Sequence, residues 1–290
     1  MNCLWAWILV GASATLLGQQ PIPRTMQETD VMLVGISRDD SMFKGGISSS
    51  KWTGKGTVVS EPIARIAASG NWLRLPCDSE STAECTKFAH DYLSKPHVYT
   101  VISADGQGGQ IKTAPVSLSE CFGYDGVGTY AGTMIAGSSI AASSTEFFAD
   151  SLPPQPLGED ASAPIRKALT ALIPSKLDSV KRLRLFSLDL QGQKLVVVQR
   201  VFADYASNRK DEKLGLIFAI GSMDHNHFKI LHWKKNTEDE QERILGTIHL
   251  NSGQEFLVTV VSDPESQSFR VYGIEDGRLK MIFSGGGSSC

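Results

Sequence analysis

Between Val180 and Ser284 apolar and polar residues alternate in short runs, each closed by turn-forming residues. Leu183-Arg184-Leu185-Phe186-Ser187-Leu188 runs out, Asp189-Leu190-Gln191-Gly192-Gln193 turns, and Leu195-Val196-Val197-Val198 returns. Leu216 to Ile220 pairs with Phe228 to Leu231 across Met223-Asp224-His225-Asn226-His227. Ile244 to Leu250 pairs with Glu255 to Val261 across Asn251-Ser252-Gly253, and Phe269 to Ile274 with Leu279 to Phe283 across Glu275-Asp276-Gly277. The arms are rich in β-branched and aromatic residues, which suit a pleated surface. The turns hold Asp, Asn and Gly, which accept left-handed backbone or bond their own main chain. Asp276-Gly277 is the sharpest hairpin signal. Four successive hairpins predict an eight-strand antiparallel meander. A single curved sheet is preferred over two propeller-like blades, because two blades do not close a propeller.

The first half is less regular. Strands are expected at Val31 to Ile36, Gly56 to Ser60, Ile63 to Ala67 and Asn71 to Leu75, with a loop over Gly45 to Gly56. That loop lacks the G-x-x-x-x-G-K-[ST] spacing of a phosphate cradle. Ser81-Thr82-Ala83-Glu84 forms a capping box, followed by an apolar stripe of Cys85, Phe88, Ala89, Tyr92 and Leu93 and a stop at Pro96. His97 to Ser103 and Gln110 to Ala114 form a hairpin, and Thr133 to Phe148 a strand pair or irregular edge. A second helix begins near Pro164, carries Ile165, Ala168, Leu169, Leu172 and Ile173 on one face, and ends at Pro174.

The expected fold is therefore mainly β with two short helices, in two domains, the second an eight-strand antiparallel meander packed on one helix. Residues 1–20 read as a signal peptide, 21–151 as a β-rich domain with one helix, and 152–159 as a Pro-rich linker that disfavours regular structure. Residues 160–284 form the helix-plus-meander domain, and 285–290 a flexible Gly/Ser tail. Asn208 to Lys213 and Asn236 to Arg243 read as charged, solvated connections.

The compartment follows from the N-terminus and the cysteines. Leu4 to Gly11 is apolar, and Ala12-Ser13-Ala14 offers the small residues a signal peptidase reads, although no Lys or Arg precedes them. Removal of that segment leaves no further span apolar enough to cross a membrane, and it leaves Cys77, Cys85, Cys121 and Cys290. An even count in an exported chain points to disulfides. Proximity favours Cys77–Cys85, which leaves Cys121–Cys290; the other pairings, and Cys85 as a buried thiol, stay open. Secreted or periplasmic localisation is expected. The net charge of −3 supplies no field for a polyanion, so nucleic acid is not an expected partner.

Candidate chemistry is sparse. Tyr124 and Tyr130 flank a glycine-rich stretch that serves either as a binding loop or as a tight turn with ordinary packing. His225 and His227 are weak metal candidates, two imidazoles without an identifiable third ligand. Asp189-Leu190-Gln191-Gly192-Gln193 resembles, over one turn, the Asp-rich calcium loops of integrin-type propeller repeats. Gln191 and Gln193 stand where a hard cation needs carboxylates. No cofactor is expected. No nucleophile motif is present in the sequence, although triads assemble from distant residues. The expected function is a non-catalytic extracytoplasmic binding or interaction protein with a protein or glycan partner. The alternative is a secreted hydrolase with a site assembled from distant residues.

Overall fold

A computed structural model describes residues 31–38, 51–67, 69–76, 83–88, 98–102, 110–113, 117–118, 122–135, 139–143, 148–149, 155–158, 161–172, 183–200, 216–236, 240–262 and 266–289. The fold is mainly β with two short helices, as the periodicity predicts. In chain order the elements are β1 (Val31–Arg38), β2 (Lys51–Ile66), β3 (Trp72–Leu73), α1 (Ala83–Phe88), β4 (Val98–Ile102), β5 (Gln110–Thr113), β6 (Ser117–Leu118), β7 (Phe122–Ile135), β8 (Ser139–Ala142) and β9 (Phe148–Ala149). They continue with β10 (Gln155–Pro156), α2 (Ser162–Leu172), β11 (Leu183–Leu190), β12 (Gln193–Arg200), β13 (Leu216–Asp224), β14 (His227–Asn236), β15 (Gln241–Leu250), β16 (Glu255–Ser262), β17 (Ser266–Glu275) and β18 (Arg278–Ser289).

The N-terminal strands close on themselves. Antiparallel pairs join β1 to β2, β2 to β7, β7 to β5, β5 to β4, β4 to β8 and β8 back to β1. Closure removes the unpaired edges that open sheets must protect. Leu33, Ala64 and Ala142 occupy one row of this ring. Val101 and Ala141 are opposite each other in another, and all five are buried.

All eight strands of the meander form, in the expected order, but β14 and β15 do not pair. The meander is thus two sheets. β11 to β14 make a five-stranded sheet with β10, while β15 to β18 extend the N-terminal sheet through β18 and β7. Each four-strand unit gains a two-residue strand beside its first member, β9 on β15 and β10 on β11. Residues 148–149 thus pair with one sheet and residues 155–156 with the other.

The sheets stack. One face of β11 to β14 packs on α2, where Ile165 and Leu169 meet Leu185, Val196, Val198, Ile217, Ala219 and Phe228. Its other face packs on β15 to β18, where Leu195, Val197, Phe218 and Ile220 meet Ile244, Leu257 and Tyr272. The far face of β15 to β18 packs on the ring: Phe256, Val258, Val260, Phe269 and Val271 meet Leu33, Ile63, Ile66 and Ile140. β16 is consequently buried on both faces, which explains its unbroken run Phe256-Leu257-Val258-Thr259-Val260-Val261.

Four local expectations are corrected. The Pro-rich 152–159 stretch contains a strand: Gln155 and Pro156 pair with Ser187 and Phe186 at a sheet edge, where Pro loses no ladder bond. Residues 285–289 are no flexible tail but the end of β18, paired with β17 and β7. Glycine is required there by close approach: at Gly286 (φ 70°) an added Cβ would lie 2.2 Å from the Ile63 carbonyl oxygen. The Gly45 to Gly56 stretch gives way to strand at Lys51, and β2 runs unbroken through both shorter segments expected there. The charged connection 236–243 ends at β15, which begins at Gln241.

Residues 1–20, Cys77, Cys121, Cys290 and the 208–213 connection lie outside the described residues. Cys85 falls within α1, as its stripe predicts. Among the described residues no helix is long and apolar enough to cross a membrane.

Candidate functional site

Strand alternation brings polar residues from both sheets to one end of their shared core. On β15, Glu242 and Ile244 are two apart and both buried. Thr259 and Leu257 repeat the relation on β16, and Arg270 and Tyr272 are likewise two apart on β17. From the opposite sheet β14 contributes His232 and Lys234. The ladder places Lys234 across from Phe218 and His232 across from Ile220, so they share the inner face.

The carboxylate of Glu242 is wholly buried and accepts from three side chains. Thr259 Oγ1 and Tyr272 Oη both donate to Oε1 at 2.8 Å, and Arg270 Nη1 donates to Oε2. Arg270 Nη2 also reaches Glu240 Oε1 at 3.4 Å, and Lys234 Nζ pairs with the same oxygen. His232 Nε2 lies 3.4 Å from the Tyr272 hydroxyl, with ring centroids 5.0 Å apart. A buried carboxylate without such donors would carry a desolvation cost of several kcal/mol.

The electrostatics follow. Burial, then the neighbouring Glu242 charge, pushes the Tyr272 phenol far above its ordinary value. It stays protonated and donates. Burial works against the Arg270 cation, but Glu242, Tyr272 and Glu240 outweigh it and hold its pKa above the guanidinium's ordinary value. Burial lowers the His232 pKa; Glu242 opposes that, while Arg270 and Lys234 reinforce it. The Tyr272 phenol and the Arg270 guanidinium thus hold their protons in hydrogen bonds to Glu242, so the cluster is suited to fixing one sheet against the other.

A second polar contact sits at the hairpin tips. Glu255 accepts from the Gln191 backbone N–H of the neighbouring sheet and lies 3.5 Å from His249 Nδ1. His249 Nε2 is buried without a hydrogen-bond partner among the described residues. Gln193 Nε2 donates to the Gly277 carbonyl at 3.2 Å, tying two hairpin turns together.

The residues singled out from the sequence lie elsewhere. Tyr124 and Tyr130 occupy neither a loop nor a turn. Both lie on β7, Tyr124 opposite Leu118 and Tyr130 opposite Gly56 and Ile111. His225 sits in a hairpin turn with φ 52°, and His227 begins β14. Both are exposed, and His225 Nδ1 contacts its neighbour Asp224 at 2.7 Å. Among the described residues no three or more His, Cys, Asp or Glu side chains are grouped to hold a metal ion. The turn likened to a calcium loop is a two-residue hairpin turn, with Gln191 at φ 51° and Gly192 at φ 75°.

The exposed counterpart to this interior cluster is the free side of β14. It ends its sheet among the described residues. A register shift leaves Leu231 unpaired between Ile230 and His232. Leu231 and Trp233 are 36% and 40% exposed, with exposed His227 and Lys229 at the alternate positions before them. In the sequence, His227-Phe228-Lys229-Ile230 alternates and Leu231 breaks the alternation; the register shift there sets Phe228, Ile230 and Trp233 on the face opposite His232 and Lys234. Set beside known proteins, the chain matches no family model, no curated protein and no solved structure.

Proposed function

We propose that this protein is a non-catalytic, exported binding protein whose contact surface is the free edge of β14. The observation that carries the reading is a strand that ends its sheet among the described residues and presents Leu231 and Trp233 to solvent. Large aromatic side chains on an accessible surface supply rigid contact area at low entropic cost. The interior cluster supports the reading from the other side. Glu242, the best candidate for acid–base work, is wholly enclosed by its three donors. Export through the 1–20 segment and disulfides among Cys77, Cys85, Cys121 and Cys290 belong to the same proposal. So does a partner outside the cytoplasm.

A photo-crosslinking residue at position 233, introduced into the full chain in its own host, tests it. Discrete adducts in the extracytoplasmic fraction are expected. The same residue at Val98, half exposed but on a strand paired on both sides, should give none. Equal labelling at both positions, or none at either, would refute the edge as the contact surface.

One observation favours the hydrolase alternative: His249, with a carboxylate near Nδ1 and a buried Nε2 that has no partner among the described residues, has two parts of a nucleophile-activating triad. Covalent labelling of the native protein by a fluorophosphonate, lost in His249→Asn, would establish that reading.

A further inference from the structure

We propose that the partner is an extended, carboxylate-bearing polypeptide segment that adds to β14 as a further strand. The inference rests on the binding reading above and supplies the chemistry of its partner.

An edge strand offers a row of main-chain donors and acceptors, and extended peptides bind such rows by strand addition. Two features of β14 narrow the occupant. The first is charge. The strand His-Phe-Lys-Ile-Leu-His-Trp-Lys-Lys-Asn carries three lysines and two histidines and no carboxylate. Lys234 is already paired with Glu240, which leaves Lys229 as the exposed lysine among the strand's described side chains, and a second copy of this strand laid antiparallel would bring it no carboxylate. A segment with Asp or Glu at alternating positions would instead face Lys229 with the opposite sign, beside apolar contacts to Leu231 and Trp233.

The second feature is preorganisation. The residues between the exposed ones are fixed inward: Phe228 packs against the α2 core, His232 contacts Tyr272, and Lys234 pairs with Glu240. The edge is therefore held extended before any partner arrives, which lowers the ordering cost of strand addition. Leu231, the extra residue in the ladder, divides the edge into stretches 227–230 and 232–236. A short segment suffices to fill either.

The probe is a synthetic nonapeptide alternating Glu and Val around a central Leu, added to the full-length native protein. Its controls are the same peptide with Lys for Glu, and the Glu peptide N-methylated at alternate residues, which keeps the charge but cannot form a ladder. Amide hydrogen exchange of β14 is the readout. The Glu peptide should slow that exchange several-fold and both controls should leave it unchanged. Lys229→Glu, at an exposed position, should reverse the preference to the Lys peptide. Unchanged β14 exchange with the Glu peptide overturns the proposal. So does protection without peptide that rises with protein concentration, which would assign the edge to a second copy. If position-233 adducts persist while the peptide fails, only the partner chemistry falls; if both fail, the binding reading falls with it.

Discussion

The sheet of β15 to β18 is buried on both faces, and different chemistry seals each. Toward the N-terminal ring the contact is apolar and aromatic. Val258, Val260, Phe269 and Val271 meet Leu33, Ile63 and Ile140, while Trp72 stands edge-on to Phe256 at 5.4 Å. Toward the α2-bearing sheet the hydrocarbon contact of Leu257 and Ile244 gives way, within the same strands, to Glu242, Thr259, Arg270 and Tyr272. Apolar contact is non-directional and scales with area. A buried ion pair is directional, and removing one partner costs more than the pair contributes. One face thus supplies adhesion, and the other fixes which residue meets which.

Truncation of the carboxylate should separate the faces most sharply. Glu242→Ala leaves the Tyr272 hydroxyl without its carboxylate acceptor and the Arg270 cation and Thr259 hydroxyl with only their 3.4 Å contacts to Glu240 and to the Arg270 carbonyl, and should destabilise by about 3–5 kcal/mol in urea denaturation. On the apolar face the conservative Ile248→Val, at a fully buried position, should cost only about 0.5–1.5 kcal/mol. The triple change Glu242→Leu, Arg270→Met, Tyr272→Phe removes all the unmatched charge. It should recover most of the loss. If the triple variant is as unstable as Glu242→Ala, the cluster is not a self-contained polar unit.

Gly286→Ala tests the ring side from the backbone. Left-handed φ and the Ile63 carbonyl both oppose a Cβ there, so a loss of roughly 1–3 kcal/mol is expected. The effect should appear as faster exchange at the end of β18 and in β2. Little or no change in β11 to β14 would show that the two faces fail independently.

A smaller effect of opposite sign is expected where the polar face is unmatched. Gln199 is buried on β12, opposite Phe218, which is itself opposite Lys234. Its Nε2 has no hydrogen-bond partner among the described residues. Gln199→Leu should raise stability by about 1 kcal/mol in the same denaturation assay. A loss would mean that the amide serves the cluster.

Much of the fold was legible because strand periodicity is local. Every arm from Leu183 to Phe283 falls in a strand, and Asp276-Gly277 adopts the left-handed pair of a tight hairpin, at φ 53° and 70°. The α2 stripe was equally plain, since Ile165 and Leu169 are an i, i+4 pair on the buried face. Which strands pair across long distances was not legible. Nothing in Asn236 to Gln241 announces that the ladder stops between β14 and β15, or that β18 joins β7. The cluster escaped notice because Glu242 sits in a charged run that resembles a solvated loop. Read at period two with Ile244, it is a charge on an inward position, and Thr259 inside the apolar β16 run marks the same row. Tyr124 and Tyr130 drew attention by composition, whereas Trp233 sat within an ordinary strand pattern.

The last way to sharpen the comparison is pH, because the polar face carries a histidine whose pKa is lowered. Burial lowers the His232 pKa from the ordinary 6.5, with Glu242 opposing and Arg270 and Lys234 assisting. The unfolded chain therefore binds a proton at this position at a pH where the folded chain does not. Under that condition stability rises with pH. The contribution is complete above about pH 6.5 and is lost as pH falls from there through the folded value. Urea midpoints measured on the acid side of neutrality should decline for the native protein. His232→Gln, which keeps a polar group near Tyr272 but cannot take up the charge, should decline less over the same window. The ring face should be indifferent: the difference between native protein and Ile248→Val should stay constant across that range. If His232→Gln declines in parallel with the native protein, the acid sensitivity lies elsewhere. If it is flatter, the imidazole on β14 is the point at which acid reaches the contact between the two sheets, and the edge strand that carries it is loosened first.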